Sequence, residues 1–176
     1  MVRSVFEILL YLGVIGYVFA WGQKANTWIP NLEDKVTDQL AVTQGVAKTE
    51  SLDDESIMLS LINLERAKQG LTLLRLDPEL TLIAREYSRA MLERGFFSHQ
   101  SPDGGFASDR LRERGIQYRI LAENIARSMN ARAAHRDLMD SPGHRANILR
   151  KEFRRVGVGI ADGGIYGRIF TEIFAD

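Results

Sequence analysis

Three histidines occur in the chain, and two of them sit where chemistry is practicable. His99 follows Phe96-Phe97-Ser98 and precedes Gln100-Ser101-Pro102-Asp103-Gly104; His144 follows Ser141-Pro142-Gly143 and precedes Arg145-Ala146-Asn147. Turn-forming residues flank both, at the edges of helical segments, where a side chain is free to face a cleft. Glu123 lies in Ala122-Glu123-Asn124-Ile125-Ala126, and an ionised carboxylate among apolar neighbours is costly unless paired. Asp140 stands four residues before His144. Histidine suits proton transfer and metal ligation near neutral pH, yet a lone histidine at a turn more often serves the fold. His135, in Arg132-Ala133-Ala134-His135-Arg136, reads as a surface or packing residue on a helix face.

The absences narrow the field. No HExxH, EF-hand loop, P-loop, GxGxxG or GxSxG is present, which removes the usual metalloprotease, calcium, nucleotide and α/β-hydrolase readings. The chain has no cysteine, so a disulfide framework, a thiolate metal site, a cysteine nucleophile and a CxxC redox motif are all excluded. With 23 basic and 23 acidic residues the formal charge is +0, and no chain-wide grip on nucleic acid or anionic membrane is expected. A composition 45% hydrophobic and 26% charged is that of a globular protein.

The elements that must position these residues follow from the patterning. Residues 1–30 contain an uncharged, mostly apolar run at 8–21, behind Arg3 and Glu7. This run predicts a hydrophobic helix that is either a signal peptide or a membrane anchor, placing the remainder outside the cytoplasm. Residues 31–52 are polar and read as a linker, and 53–176 as the folded domain. Ile57, Leu61 and Leu64, widened by Met58 and Ile62, predict a first helix stopped at Gly70. Asp77-Pro78-Glu79 opens a second, with Leu80, Ile83, Ala84, Tyr87 and Met91 as its apolar face and Gly95 as its end. Ser108 is expected to cap a third that closes at Gly115, and Ala131 to Met139 reads as a fourth before a Ser141-Pro142-Gly143 turn. Val156, Val158 and Ile160 alternate with Gly157 and Gly159, Asp162-Gly163-Gly164 turns the chain, and Tyr166 to Phe174 returns as a hairpin. The two strand glycines are expected to admit close packing of another element, and Gln117 to Leu121 to supply a further strand. Helices first and an antiparallel hairpin last predict an α+β fold.

Seven pieces then fall into order: Leu73-Leu74-Arg75-Leu76-Asp77-Pro78-Glu79-Leu80, Phe96-Phe97-Ser98-His99, Ser101-Pro102-Asp103-Gly104, Glu123-Asn124-Ile125-Ala126, Ser141-Pro142-Gly143-His144-Arg145-Ala146-Asn147-Ile148-Leu149, Val156-Gly157-Val158-Gly159 and Phe170-Thr171-Glu172-Ile173-Phe174. Together they resemble the CAP superfamily of cysteine-rich secretory proteins, antigen 5 and pathogenesis-related 1 proteins. The likeness is greatest to its short, cysteine-free bacterial branch of SCP-like extracellular proteins. The resemblance implies a three-layer α-β-α sandwich with a small antiparallel sheet between helices. It also implies a central cleft lined by two histidines and two acids that holds zinc or another divalent ion in some members. By motif, His99 and His144 match the two histidines, and with them the metal ligands, and Glu123 matches one acid. For the second acid Asp140 or Ser141 stands nearest, with Leu138 where relatives carry tryptophan. Glu172 stands where the family usually shows glutamine and is expected at the surface, with an extra charge near the cleft as the alternative.

Two imidazoles leave coordination positions open to water, so a closed structural zinc site is not expected. The plainer reading is a polar cluster in which Glu123 accepts from a histidine and ties helices to sheet. The favoured function is an extracytoplasmic binding or interaction module for a divalent ion, a lipid, a cell-wall component or a protein partner. The alternative is a metal-dependent peptidase or cell-wall hydrolase, with Glu123 as general base. A metal-free version would rely on Ser101 or Ser141, both of which precede proline. A vestigial cleft on a purely structural domain is the third reading.

Overall fold

The computed structural model describes residues 54–176. The expected hydrophobic helix within 1–30 and the linker at 31–52 lie outside the described residues. Among those described, no helix is long and apolar enough to cross a membrane.

The described chain opens in a helix over 54–68, here α1. Met58 and Ile62 of the expected stripe turn inward, whereas Leu64 is half exposed. Arg66 completes the buried face one turn on from Ile62 and is fully covered. A two-residue strand, β1 (Arg75–Leu76), leads into α2 (Pro78–Glu93), which begins as its sequence requires. The Asp77 side chain accepts from the Glu79 and Leu80 N–H groups at 2.9 and 3.2 Å, and Pro78 occupies the first turn. The next helix, α3 (Ala107–Glu113), starts a little earlier than expected. Ser108 lies inside it, and Asp109 caps instead, taking the Phe106 N–H at 2.8 Å.

Strand β2 (Leu121–Ser128) follows, then α4 (Ala131–Asp140), α5 (Pro142–Ile148), β3 (Arg155–Asp162) and β4 (Arg168–Ala175). Two local expectations are corrected here. The strand expected at Gln117 to Leu121 begins only at Leu121 and runs through the Glu-Asn-Ile motif, because Ala122, Asn124 and Ala126 alternate with Glu123 and Ile125 about the sheet. Ser141-Pro142-Gly143 is not a free turn: proline sits in the first turn of α5 and carries His144 directly into a helix.

The sheet runs β1-β3-β4-β2. Strands β3 and β4 form the expected antiparallel hairpin, and β2 pairs antiparallel with β4 on its other side. The short β1 joins β3 in parallel through Arg75 and Leu76, so the sheet is mixed, with an antiparallel body. Helices cover both faces. Met58 and Ile62 of α1, Leu138 of α4 and Ile148 of α5 share a core with Val156, Val158, Phe170 and Phe174. On the opposite face Leu80, Ile83 and Leu111 pack on Ile173 and Ala175, while Tyr87 and Met91 meet Ile125 and Ile169. This is a three-layer α-β-α sandwich.

Gly157 and Gly159 set the spacing of one layer. A Cβ on Gly157 would lie 2.2 Å from the Leu80 carbonyl carbon, and one on Gly159 only 2.0 Å from the Arg85 nitrogen. The backbone of α2 therefore rests directly on β3.

Candidate functional site

Strand β2 lies at the sheet edge, and two adjacent residues on its opposite faces fix the two histidines. Glu123 faces the α2 and α3 side, its side chain only 5% exposed. His99 Nδ1 lies 2.9 Å from Glu123 Oε1. A carboxylate only accepts, so Nδ1 is the donor in this contact and Nε2 points away from Glu123. The other carboxylate oxygen takes Arg110 Nη2 from α3. Arg110 in turn lies 3.4 Å over the ring of Tyr87 from α2, and the Tyr87 hydroxyl donates to the Ser98 carbonyl at 2.7 Å. Tyr87 thus steadies both the arginine that neutralises Glu123 and the loop that presents His99. Burial pushes the Tyr87 phenol above its ordinary value, keeping it neutral and donating.

The loop carrying His99 is fastened further along. Arg94 makes a two-pronged contact with Asp103 at 2.6 and 3.0 Å, and Gln100 Nε2 donates to the Gly104 carbonyl at 3.0 Å. Ser101 Oγ accepts the Gly105 N–H at 3.1 Å, which makes it a turn-former. A cleft of about 300 Å³ opens beside these groups, with Phe106, Ala107, Leu121 and Ala122 as apolar walls and His99 with Glu123 at its polar end.

On the other face, Asn124 Nδ2 donates to the His144 carbonyl at 3.2 Å and to Glu172 Oε2 at 2.9 Å. Asn147 Nδ2 donates to Asn124 Oδ1 at 2.8 Å, joining α5 to β2 a second time. Burial lowers the His144 pKa, and His99 lies near enough to lower it further. Glu172 corrects the sequence expectation: it is fully buried, not a surface strand residue. It lies on the α1, α4 and α5 side with Phe170 and Phe174, two residues to either side of it in β4, its Oε1 has no hydrogen-bond partner among the described residues, and burial pushes its pKa up to about 7.

His99, Glu123 and His144 are therefore drawn to one edge of the sheet. Asp140 ends α4, exposed, and makes no hydrogen bond or ion pair among the described residues. His135 is buried on α4, in a packing role, with both ring nitrogens lacking a hydrogen-bond partner among the described residues. Arg110 and Tyr87 were not anticipated as site residues from the sequence. Arg110 belongs to an arginine-rich composition that reads as solvated surface, and Tyr87 reads as helix core. Among the described residues, no group of three or more His, Asp or Glu side chains is placed to hold a metal ion.

Comparison with known proteins agrees with this architecture. The model of the CAP family, described as the cysteine-rich secretory protein family, matches residues 59–174. The uncharacterized protein YkwD of Bacillus subtilis is 39% identical over 121 residues, 68% of this chain and 46% of that one. An extracellular protein of Bacillus anthracis containing an SCP domain superposes with a TM-score of 0.66 at 30% identity, over 71% of this chain and 41% of the other. An outer surface protein of Borrelia burgdorferi shares the fold, with a TM-score of 0.66 at 21% identity, over 70% of this chain and 92% of its own. The chain spans less than half the length of the two Bacillus proteins.

Proposed function

The chain belongs to the CAP family, and from that membership we propose that its domain is an extracytoplasmic binding module whose ligand enters the cleft beside His99 and Glu123. The observation that carries this reading is the disposition of Glu123. Both of its oxygens are engaged, one by His99 and one by Arg110, so it orients an imidazole and is held in an ion pair. A pre-organised polar end beside apolar walls is the anatomy of a recognition site.

A divalent cation, zinc foremost, fits as an exchangeable occupant. His99 Nε2 and the His144 imidazole would hold it. Glu123 fixes the tautomer of the first, and the lowered pKa of the second keeps its lone pair available. Two protein ligands leave the remaining positions to water or to an anionic group of the ligand, and the ion's charge is what it supplies. A lipid or cell-wall component with an apolar portion suits the walls formed by Phe106, Leu121 and Ala122. The location outside the cytoplasm is supported by the apolar run at 8–21 and by the extracellular and outer-surface relatives.

Equilibrium dialysis of the full chain against micromolar zinc tests the reading, with a His99→Ala, His144→Ala double variant alongside. One equivalent in the parent and none in the folded variant is expected. A folded parent that takes up no zinc removes the cation from the reading.

A further inference from the structure

The three most exposed large hydrophobic side chains among the described residues stand together at one end of the sheet. Strands β3 and β4 are joined through a 3-10 turn, Gly164–Tyr166, whose Ile165 and Tyr166 are 86% and 81% exposed. Met129, just past β2, is 62% exposed, and its Sδ lies 3.5 Å from where a Cβ on Gly167 would be. Isolated exposed hydrophobics need no explanation, but a contiguous tip of Met, Ile and Tyr does.

The acids around this tip are engaged in ion pairs. Asp54 and Asp162 both pair with Arg168, at 2.5 and 3.0 Å, and Glu55 pairs with Arg85 at 2.5 Å. Arg127, two residues before Met129, and Arg132, in the first turn of α4, remain exposed. The exposed residue Phe97 lies under Arg127, 5.4 Å from its guanidinium carbon, and extends the apolar surface. An apolar tip flanked by Arg127 and Arg132, which make no ion pair among the described residues, is complementary to an anionic bilayer surface.

The entry of the chain points the same way. The described residues begin at Asp54, whose carboxylate accepts the Ala131 N–H at 3.3 Å and pairs with Arg168 at the start of β4. Asp54 thus lies at the end of the sheet that carries the tip. Residues 1–53 precede it, with the apolar run at 8–21 that reads as a membrane or export segment. We propose that this end of the domain docks on an anionic lipid bilayer, with Ile165, Tyr166 and Met129 entering the interfacial layer and Arg127 and Arg132 against the headgroups. The cleft by His99 plays no part in this contact, so the two proposals stand or fall separately.

The absence of native cysteine allows a single label at a chosen position. Full-length Ile165→Cys, carrying an environment-sensitive thiol fluorophore, is mixed with vesicles of phosphatidylglycerol and phosphatidylcholine that contain a lipid with a shallow nitroxide. Gln117→Cys, exposed at the opposite end, is the control. The expected result is a blue shift and quenching at position 165, little at 117, and a weaker signal in pure phosphatidylcholine. With the label moved to Met129→Cys, adding Ile165→Asp and Tyr166→Asp is expected to abolish the shift. Equal quenching at 165 and 117, or none at 165, overturns the proposal. So does a blue shift that needs no lipid and grows with protein concentration, which assigns the tip to a second copy of the chain.

Discussion

Asn124 and Glu172 are register partners across β2 and β4, and the Asn124 amide donates to the Glu172 carboxyl at 2.9 Å in a fully buried setting. The same amide group reaches the His144 carbonyl, so the protonation of one buried acid is linked to the seating of α5. Burial raises the Glu172 pKa from an ordinary 4.5 to about 7, and the folded state therefore holds its proton after the unfolded chain has released it. Stability from this group is fully present below pH 4.5 and is lost as pH rises to about 7, with no further loss above that. The difference amounts to about 3 kcal/mol. Urea unfolding of the parent and Glu172→Gln from pH 5 to 8 is expected to show the variant gaining on the parent as pH rises. A gap independent of pH shows that Glu172 does not titrate in this range.

His135 has the opposite sign. Burial is the main cause that lowers its pKa from 6.5, with the Lys68 charge acting in the same direction and the Glu65 charge opposing. Its two ring nitrogens have no hydrogen-bond partner among the described residues. The unfolded chain takes the proton first, so stability is full above pH 6.5 and falls as the solution is acidified through the window below it. Replacing a buried, unpartnered imidazole with Leu is expected to raise stability by about 1 kcal/mol at pH 7. The advantage should widen at pH 5. A His135→Leu variant less stable than the parent at both pH values indicates that the ring makes contacts Leu cannot replace.

The helices and the hairpin were legible because their signals are local. Asp77-Pro78-Glu79 caps α2 without reference to anything distant, and the Val-Gly alternation at 156–160 declares both a strand and its close neighbour. The strand carrying Glu123 and Asn124 was placed too early because its polar residues conceal the period-2 pattern until their partners are known. The His99–Glu123 contact was legible as a hydrogen-bonded cluster. Arg110 was not, since nothing in the order of residues distinguishes one arginine of α3 from the exposed ones beside it. Glu172 was misplaced because acids are rarely buried, and only Asn124 from another strand makes its position tolerable.

Arg66 is a second case of long-range satisfaction. Its guanidinium donates to the carbonyls of Thr72, Ile148, Arg150 and Phe153 at 2.9, 2.8, 2.9 and 3.3 Å, tying α1 to the segment that follows α5. Arg66→Met leaves those carbonyls without their donor and is expected to cost about 4 kcal/mol. Arg66→Lys should recover only part of this, because one ammonium does not span four acceptors. Urea midpoints measure both. A loss under about 1 kcal/mol for the Met variant means the carbonyls find other donors.

Gly159 and Gly143 offer a matched contrast. A Cβ at Gly159 meets α2 backbone at 2.0 Å, whereas at Gly143 nothing lies within 4 Å. Gly159→Ala is expected to destabilise by about 3 kcal/mol or more through overpacking. Gly143→Ala, within α5, is expected to stabilise by about 0.5 kcal/mol through helix propensity. Thermal unfolding of the two variants separates close packing from loss of flexibility. Equal effects would sink the claim that α2 rests on the glycines of β3.

The pairing of Glu123 with Arg110 decides how the site is held. Glu123→Gln keeps an acceptor for His99 but leaves the Arg110 guanidinium, 17% exposed, without its counter-charge. The single substitution is expected to cost about 2–3 kcal/mol. Arg110→Met is expected to cost a similar amount, because Glu123 is then buried with only His99 beside it. Combining them removes both charges together, and the double variant should be more stable than the sum of the two losses implies, with a coupling of about 2 kcal/mol. Urea unfolding of the four proteins at pH 7 measures that coupling directly. A coupling near zero means the ion pair does not persist in solution. His99 would then have no fixed carboxylate behind it, and the pre-organisation on which the binding reading depends would be gone.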